Sequence, residues 1–235
     1  MEKSNDTLLQ ILHVVIDHYI TKGEPIGSKF LSTLEWTETD YAPSTLRKYL
    51  HQLEESGMVY QPYNSSGRIP TVQGLSTYLD TFLAELTNPD TEDESDSFSF
   101  ELDIELARAS LRGVTENLGR MVDGVVVGFL SNDEYYFLGI NNLLTEQMRE
   151  ETETMRYIVD FIERKEIVDF LATKIIKRWN VYYTFAQDGD KVLSCVYTKV
   201  SINDYDAIIS IIWPSRVNYK KNLTVLKKLS SLLAK

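Results

Sequence analysis

The sequence predicts an α+β protein in which an N-terminal winged helix-turn-helix domain precedes a small antiparallel-sheet domain. Three observations predict it. Apolar series at helical spacing run from Leu8 to Leu53, a loop punctuated by glycine and proline follows over 61–71, and alternating apolar stretches lie between Val181 and Trp213. The boundaries read as 1–86 for the winged domain, 87–100 for an acidic connection and 101–235 for the sheet domain.

In the first series Leu8, Leu12, Val15 and Tyr19 fall on one helical stripe, widened by Leu9, Val14 and Ile16, and Gly23-Glu24-Pro25 supplies the stop. Ser28 is placed to cap a second, short helix running through Leu34. The third series, Leu46, Leu50 and Leu53, ends near Glu54-Glu55-Ser56-Gly57. The loop Gln61-Pro-Tyr-Asn-Ser-Ser-Gly-Arg-Ile-Pro-Thr71 then suits a wing. Pro62 and Pro70 fix φ at its ends, Asn64 and Gly67 tolerate a left-handed backbone, and Arg68 presents an exposed planar cation suited to a phosphate or a minor groove. Taken alone, the loop is equally an ordinary surface hairpin; the helices ahead of it make it a wing. Leu75, Leu79, Phe82 and Leu86 form a further helix that packs on the winged core or on a partner.

The run Asn88-Pro-Asp-Thr-Glu-Asp-Glu-Ser-Asp-Ser97 reads as a solvated hinge, with a DNA mimic or a brake that repels nonspecific DNA as the alternative. Beyond it Leu106, Leu111, Val114, Leu118 and Met121 predict an amphipathic helix leading into a strand at Val125–Leu130. Ser131-Asn132-Asp133 suits a hairpin turn into a second strand over Glu134–Ile140. A helical region spans Met155–Leu171, strands follow near Val181–Phe185, Lys191–Val200 and Ala207–Trp213, and Leu223, Leu226, Leu229 and Leu233 mark a last helix. Tyr135, Tyr136, Tyr182 and Tyr183 could line a ligand pocket or a dimer face, or pack the sheet.

Several blocks carry a family resemblance: Tyr19-Ile-Thr-Lys-Gly-Glu-Pro-Ile-Gly-Ser-Lys29, Pro43-Ser-Thr-Leu-Arg47, Leu53-Glu-Glu-Ser-Gly57, and Gln61-Pro62 with Ser66-Gly-Arg-Ile-Pro-Thr71. In this order they resemble the heat-inducible transcription repressor family HrcA. Tyr136-Phe-Leu-Gly-Ile-Asn-Asn-Leu-Leu144, Ile158 to Leu171 and Ile212-Trp-Pro-Ser-Arg-Val-Asn-Tyr219 are similar to that family's C-terminal region. The resemblance implies a homodimeric repressor that binds double-stranded operator DNA, an inverted repeat upstream of chaperone genes. It further implies release on heat stress, a GroEL chaperonin partner that keeps the repressor active, and a GAF-like second domain. This chain departs from the family pattern at Ala42, where a capping serine is expected, at Lys48 for an asparagine, at Tyr63 for a histidine and at Ser76 for an arginine. It is also shortened. Residues 131–133 replace further strands and an inserted dimerisation domain, so dimerisation would need another surface.

In a winged helix the third helix enters the major groove and its N-terminal outward residues reach base edges. Those are Ser44, Thr45, Arg47, Lys48 and His51, with Arg47 expected to read a guanine. Ser28 and Lys29 on the second helix, and Tyr63, Asn64, Ser65, Ser66 and Arg68 on the wing, complete the expected interface; Lys29, Lys48 and Arg68 would position phosphate. The formal net charge of −11 argues the other way. Asp17, Glu54 and Glu55 are therefore expected to face away from the groove. That charge keeps open a winged helix that binds protein rather than DNA. A small-molecule sensor built on the second domain is a third reading.

No nucleophile, metal or phosphate motif occurs, so no catalytic residue, cofactor or metal is expected; Asp204 and Asp206 read as a turn. His13 and His18 are five residues apart and do not share a helix face. The lone Cys195, in an alternating stretch, reads as a core thiol in a reducing compartment. Without a charged leader or a long apolar run, a cytoplasmic protein is expected.

Overall fold

A computed structural model describes residues 2–34, 41–87, 110–130, 134–144, 152–174, 176–216 and 218–234, without the side chains of 2–5 and 85–87. The chain divides into two compact units, Met1–Glu85 and Leu86–Lys235.

The first unit opens with α1 (Glu2–Lys22), α2 (Ser28–Leu31) and α3 (Pro43–Glu55). A two-stranded ribbon follows, β1 (Val59–Tyr60) against β2 (Ile69–Pro70), and α4 (Val72–Thr87) closes the unit. This is the helix-helix-helix-wing order. Ile11, Leu12, Val15 and Ile16 of α1, Leu46, Leu50 and Leu53 of α3, and Leu75, Tyr78, Leu79 and Phe82 of α4 are buried together, so α4 belongs to this core. The Tyr78 hydroxyl donates to Asp17 at 3.0 Å and ties α4 to α1.

Two helix starts differ from expectation. Gly27, not Ser28, is the N-cap of α2; Ser28 is its first residue with a buried side chain, and the helix ends at Leu31, so the Leu34 boundary is also corrected. Ala42 caps α3 without a side-chain bond, and Pro43 at the first helical position compensates by presetting φ where no N–H partner exists.

The second unit is a five-stranded antiparallel sheet in the order β4-β3-β7-β6-β5. After α5 (Leu111–Gly119) come β3 (Val125–Phe129), β4 (Tyr135–Leu138) and a 3-10 turn (Ile140–Leu143). Then follow α6 (Thr152–Glu163), α7 (Glu166–Ala172), β5 (Val181–Asp188), β6 (Lys191–Ile202), β7 (Tyr205–Pro214) and α8 (Tyr219–Leu233). Helices cover both faces. Val125, Val127 and Phe129 meet Ile158, Phe161, Ile162, Ile167 and Leu171 of α6 and α7 on one face. On the other, Gly128 lies against Leu111 and Thr115 of α5, and Ser194 lies 2.9 Å from the Tyr219 hydroxyl of α8. Every residue of β3 is buried in consequence, and buried Cys195 is part of the first face.

Several of the residues that carried the C-terminal resemblance hold the second unit together. Asn142 donates its side-chain amide to the carbonyls of Gly119, Val122 and Gly124 at 3.0–3.2 Å, bolting the 3-10 turn to the α5–β3 connection. Buried Trp213 packs edge-on against Tyr219, and Asn218 caps α8 through the Lys221 N–H. The expected helical region Met155–Leu171 is broken instead into α6 and α7, because Lys165 adopts a left-handed φ of 58° after its N–H bonds the Ile162 carbonyl. Asn203 and Asp204, both at positive φ, make the β6–β7 hairpin turn, while Asp206 lies on β7 and pairs with Arg178 and Lys199. Residues 88–100 of the acidic connection, Leu106 and the turn at 131–133 lie outside the described residues; Thr87 still belongs to α4.

Candidate nucleic-acid interface

The helical period decides what α3 presents. Leu46, Leu50 and Leu53 are buried at spacings of four and three, so Ser44, Arg47, Lys48 and His51, with the same spacing from the opposite side, point outward. All four are exposed, and Thr45 is half-buried beside them. Arg47 and Lys48 make no ion pair among the described residues. The outward face thus carries two uncommitted cations in its N-terminal half. Toward the C-terminal end the His51 ring lies 3.5 Å from the Glu55 carboxylate and 3.9 Å from that of Glu54. Lys29 is exposed on α2; the Ser28 side chain is buried, so that residue is removed from the expected contact set.

The wing differs from expectation at its main residue. Arg68 is not an exposed cation: its side chain is 19 % exposed, and Nε and a terminal guanidinium nitrogen donate to one Glu54 carboxylate oxygen at 3.1 and 2.8 Å. Glu54 therefore does not simply face away; it anchors the wing to the end of α3. The backbone of Arg68 is committed as well, exchanging hydrogen bonds of 2.8 and 3.0 Å with Ile26. Gly67 allows that approach, since a Cβ there would lie 2.3 Å from the Ile26 carbonyl carbon. The left-handed residue of the wing is Ser65 (φ 67°), not Asn64 or Gly67. The tip closes when the Ser66 N–H bonds the Tyr63 carbonyl, leaving Tyr63, Asn64 and Ser65 exposed and Ser66 half-buried under internal bonds. Tyr63 is 65 % exposed, so the tip offers an aromatic ring and amide and hydroxyl groups rather than a free charge.

Sequence reasoning missed Glu54 and Ile26, the two partners that set the angle of the wing. The only signal was opposite charge fourteen positions apart, which local patterning does not resolve. The arrangement is suited to insertion of α3 into a major groove, with Arg47 able to present a planar donor pair to a base edge and Lys48 a point charge to phosphate. In the second unit a polar cleft of about 340 Å³ is lined by Glu153, Asp160, Glu166 and Asp188 against Arg156, Arg164 and Lys191, with Tyr157 and Phe161 between them. Four carboxylates face three cations there, and the lining is predominantly charged rather than the mostly apolar enclosure of a small-molecule site. No described helix is long and apolar enough to cross a membrane.

A family model described as the HrcA protein C-terminal domain matches residues 58–223. A heat-inducible transcription repressor HrcA from Chelativorans sp. (strain BNC1) is 40 % identical over 73 residues, covering 31 % of this chain and 20 % of that protein. Another from Shouchella clausii (strain KSM-K16) is 38 % identical over 76 residues, covering 32 % and 22 %. The aligned segments thus span about a fifth of the relatives' own length. A crystal structure of a hypothetical protein superposes with a TM-score of 0.72 at 15 % identity, over 97 % of this chain and 98 % of the other, which shows a shared fold. With the model match extending from the start of the wing into α8, this chain belongs to the HrcA family.

Proposed function

We propose that this chain is a DNA-binding transcriptional repressor of heat-shock chaperone genes, acting in the cytoplasm as a homodimer on an inverted-repeat operator and released on heat stress. The observation that carries the reading is the exposed row Ser44, Arg47, Lys48 and His51 on α3, backed by buried leucines and flanked by an anchored wing. Each dimer half places α3 in one major groove, so the symmetry of the site mirrors that of the protein. Tyr63, Asn64 and Ser65 reach the flanking backbone through neutral donors, while Arg68 holds the wing in place. The second domain is read as a shortened GAF-like fold, a reading supported by its antiparallel order, which sets first strand β3 beside last strand β7 under helices on both faces. A GroEL chaperonin partner rests on the family resemblance.

Hydroxyl-radical footprinting tests this. Two protected patches about one helical turn (10 base pairs) apart on the inverted repeat are expected, both lost with Arg47→Ala. A uniform faint protection would sink the reading. It would then favour a protein-binding winged helix, for which the uncharged wing tip and the −11 net charge already speak.

A further inference from the structure

The outermost strand beside β3 is β4, and among the described residues no strand pairs with its open side. Its side chains are apolar and exposed on both faces of the sheet: Tyr136 is 40 %, Phe137 38 % and Leu138 41 % accessible, with Leu144 at 71 % just beyond. An edge of this kind ordinarily carries lysine, proline or a bulge that prevents pairing with another chain. Residues 135–138 contain none of these, and their register with β3 is continuous.

The backbone directions follow from the ladder. Leu130 donates to the Glu134 carbonyl at 3.0 Å, and alternation makes Gly128 with Tyr136 and Val126 with Leu138 the next bonded pairs. Tyr135 and Phe137 therefore turn their N–H and C=O groups toward the open edge. We infer that β4 pairs antiparallel with β4 of a second copy of this chain about a two-fold axis through Tyr136, joining two sheets into one.

The occupant is a second copy because the edge is its own complement. Reversed about that axis, the Tyr135 groups meet those of Phe137 in the second copy, and Tyr136 stands opposite Tyr136 as a close, non-hydrogen-bonded cross-strand pair. The local absence of charge permits the same choice. Each chain has a net charge of −11, and residues 135–138 carry none of it, so the pairing brings no like charges opposite one another within that run. The inference rests on the homodimer proposed above and names its surface.

Sedimentation velocity without DNA tests it, so that the dimer stands or falls independently of operator binding. Wild type is expected at twice the chain mass of 27.0 kDa. Phe137→Pro removes an outward N–H while leaving the β3–β4 bonds in place, and it should weaken dimerisation at least about tenfold. Tyr136→Cys, oxidised mildly, should cross-link to itself, because a non-hydrogen-bonded pair sets Cα atoms about 4.5 Å apart, within disulfide range. Phe137→Cys should not, since it faces Tyr135 of the second copy, and buried Cys195 does not compete. A monomer of 27.0 kDa would overturn the inference, as would a dimer in which Phe137→Cys cross-links as readily as Tyr136→Cys. The cross-linking pair decides the matter even if Phe137→Pro fails to fold.

Discussion

Replacing Arg68 with alanine separates two roles that make opposite demands on one side chain. If the guanidinium anchors the wing, its loss leaves Glu54 without two charge-assisted bonds of 2.8 and 3.1 Å. Such a pair contributes near zero to 1 kcal/mol when fully exposed, and breaking a buried one costs about 3–5 kcal/mol. With Arg68 19 % and Glu54 32 % exposed, the loss lies between, about 2 kcal/mol. For a unit the size of Met1–Glu85 that corresponds to a fall in Tm on the order of 10 °C. Glu54→Gln keeps an oxygen acceptor and loses the charge, so it should cost about half as much, and the double-mutant cycle should show a coupling of about 1–2 kcal/mol. Differential scanning calorimetry gives the stabilities, and DNA titrations at several salt concentrations give the number of phosphates neutralised. A wing anchor leaves the salt slope unchanged, whereas a phosphate contact lowers it by about 0.9. An unchanged Tm together with a reduced slope would refute the anchor and restore Arg68 to the DNA.

Three further predictions concern stability. Gly67→Ala places a Cβ 2.3 Å from the Ile26 carbonyl carbon and must break the Ile26–Arg68 backbone pair; a loss of at least about 2 kcal/mol by chemical denaturation is expected, and a neutral variant would contradict the geometry. Ala42→Ser supplies the missing cap of α3 and should stabilise the first unit by about 0.5–1 kcal/mol, visible as a rise in its Tm. Burial pushes the Tyr197 hydroxyl up to about 12 and raises Tyr135 as well. A raised pKa means the fold favours the neutral phenol. That stability is complete below the ordinary tyrosine value near 10 and is lost as pH climbs through about 12. Denaturant midpoints of the second unit should fall in that window and fall less in Tyr197→Phe; a flat profile would contradict the assignment.

The helices were legible because their signal is local. Leu46, Leu50 and Leu53 repeat with the helical period, and the same period turns Ser44, Arg47, Lys48 and His51 outward without reference to any other part of the chain. The strands of the second unit were legible from alternation and turn residues, and their boundaries moved by only a few positions, as at β6 (Lys191–Ile202). What escaped depends on distance or on a single register step. Ser28 and Gly27 are both acceptable caps, one register step apart, and the residue before them, Ile26, is held by Arg68 across the fold. The break at Lys165 follows no glycine or proline; beyond it Ile167, Val168 and Leu171 of α7 join the buried cluster that includes Phe129 and Leu193, a distant contact that local patterning does not resolve. Arg68 reads as an exposed wing cation until Glu54 is brought beside it by the fold, and the exposed edge of β4 appears only once strand order is known.

The central claim is that the outward row of α3 reads operator sequence, and fluorescence anisotropy tests it most directly. A labelled inverted repeat from upstream of chaperone genes and a scrambled duplex are titrated with wild type and Arg47→Ala at two salt concentrations. The account predicts tighter binding to the inverted repeat, with Arg47→Ala removing about 1–3 kcal/mol of that preference while binding to the scrambled duplex changes far less. Equal, weak binding of wild type to both duplexes, unaltered by Arg47→Ala, would contradict it.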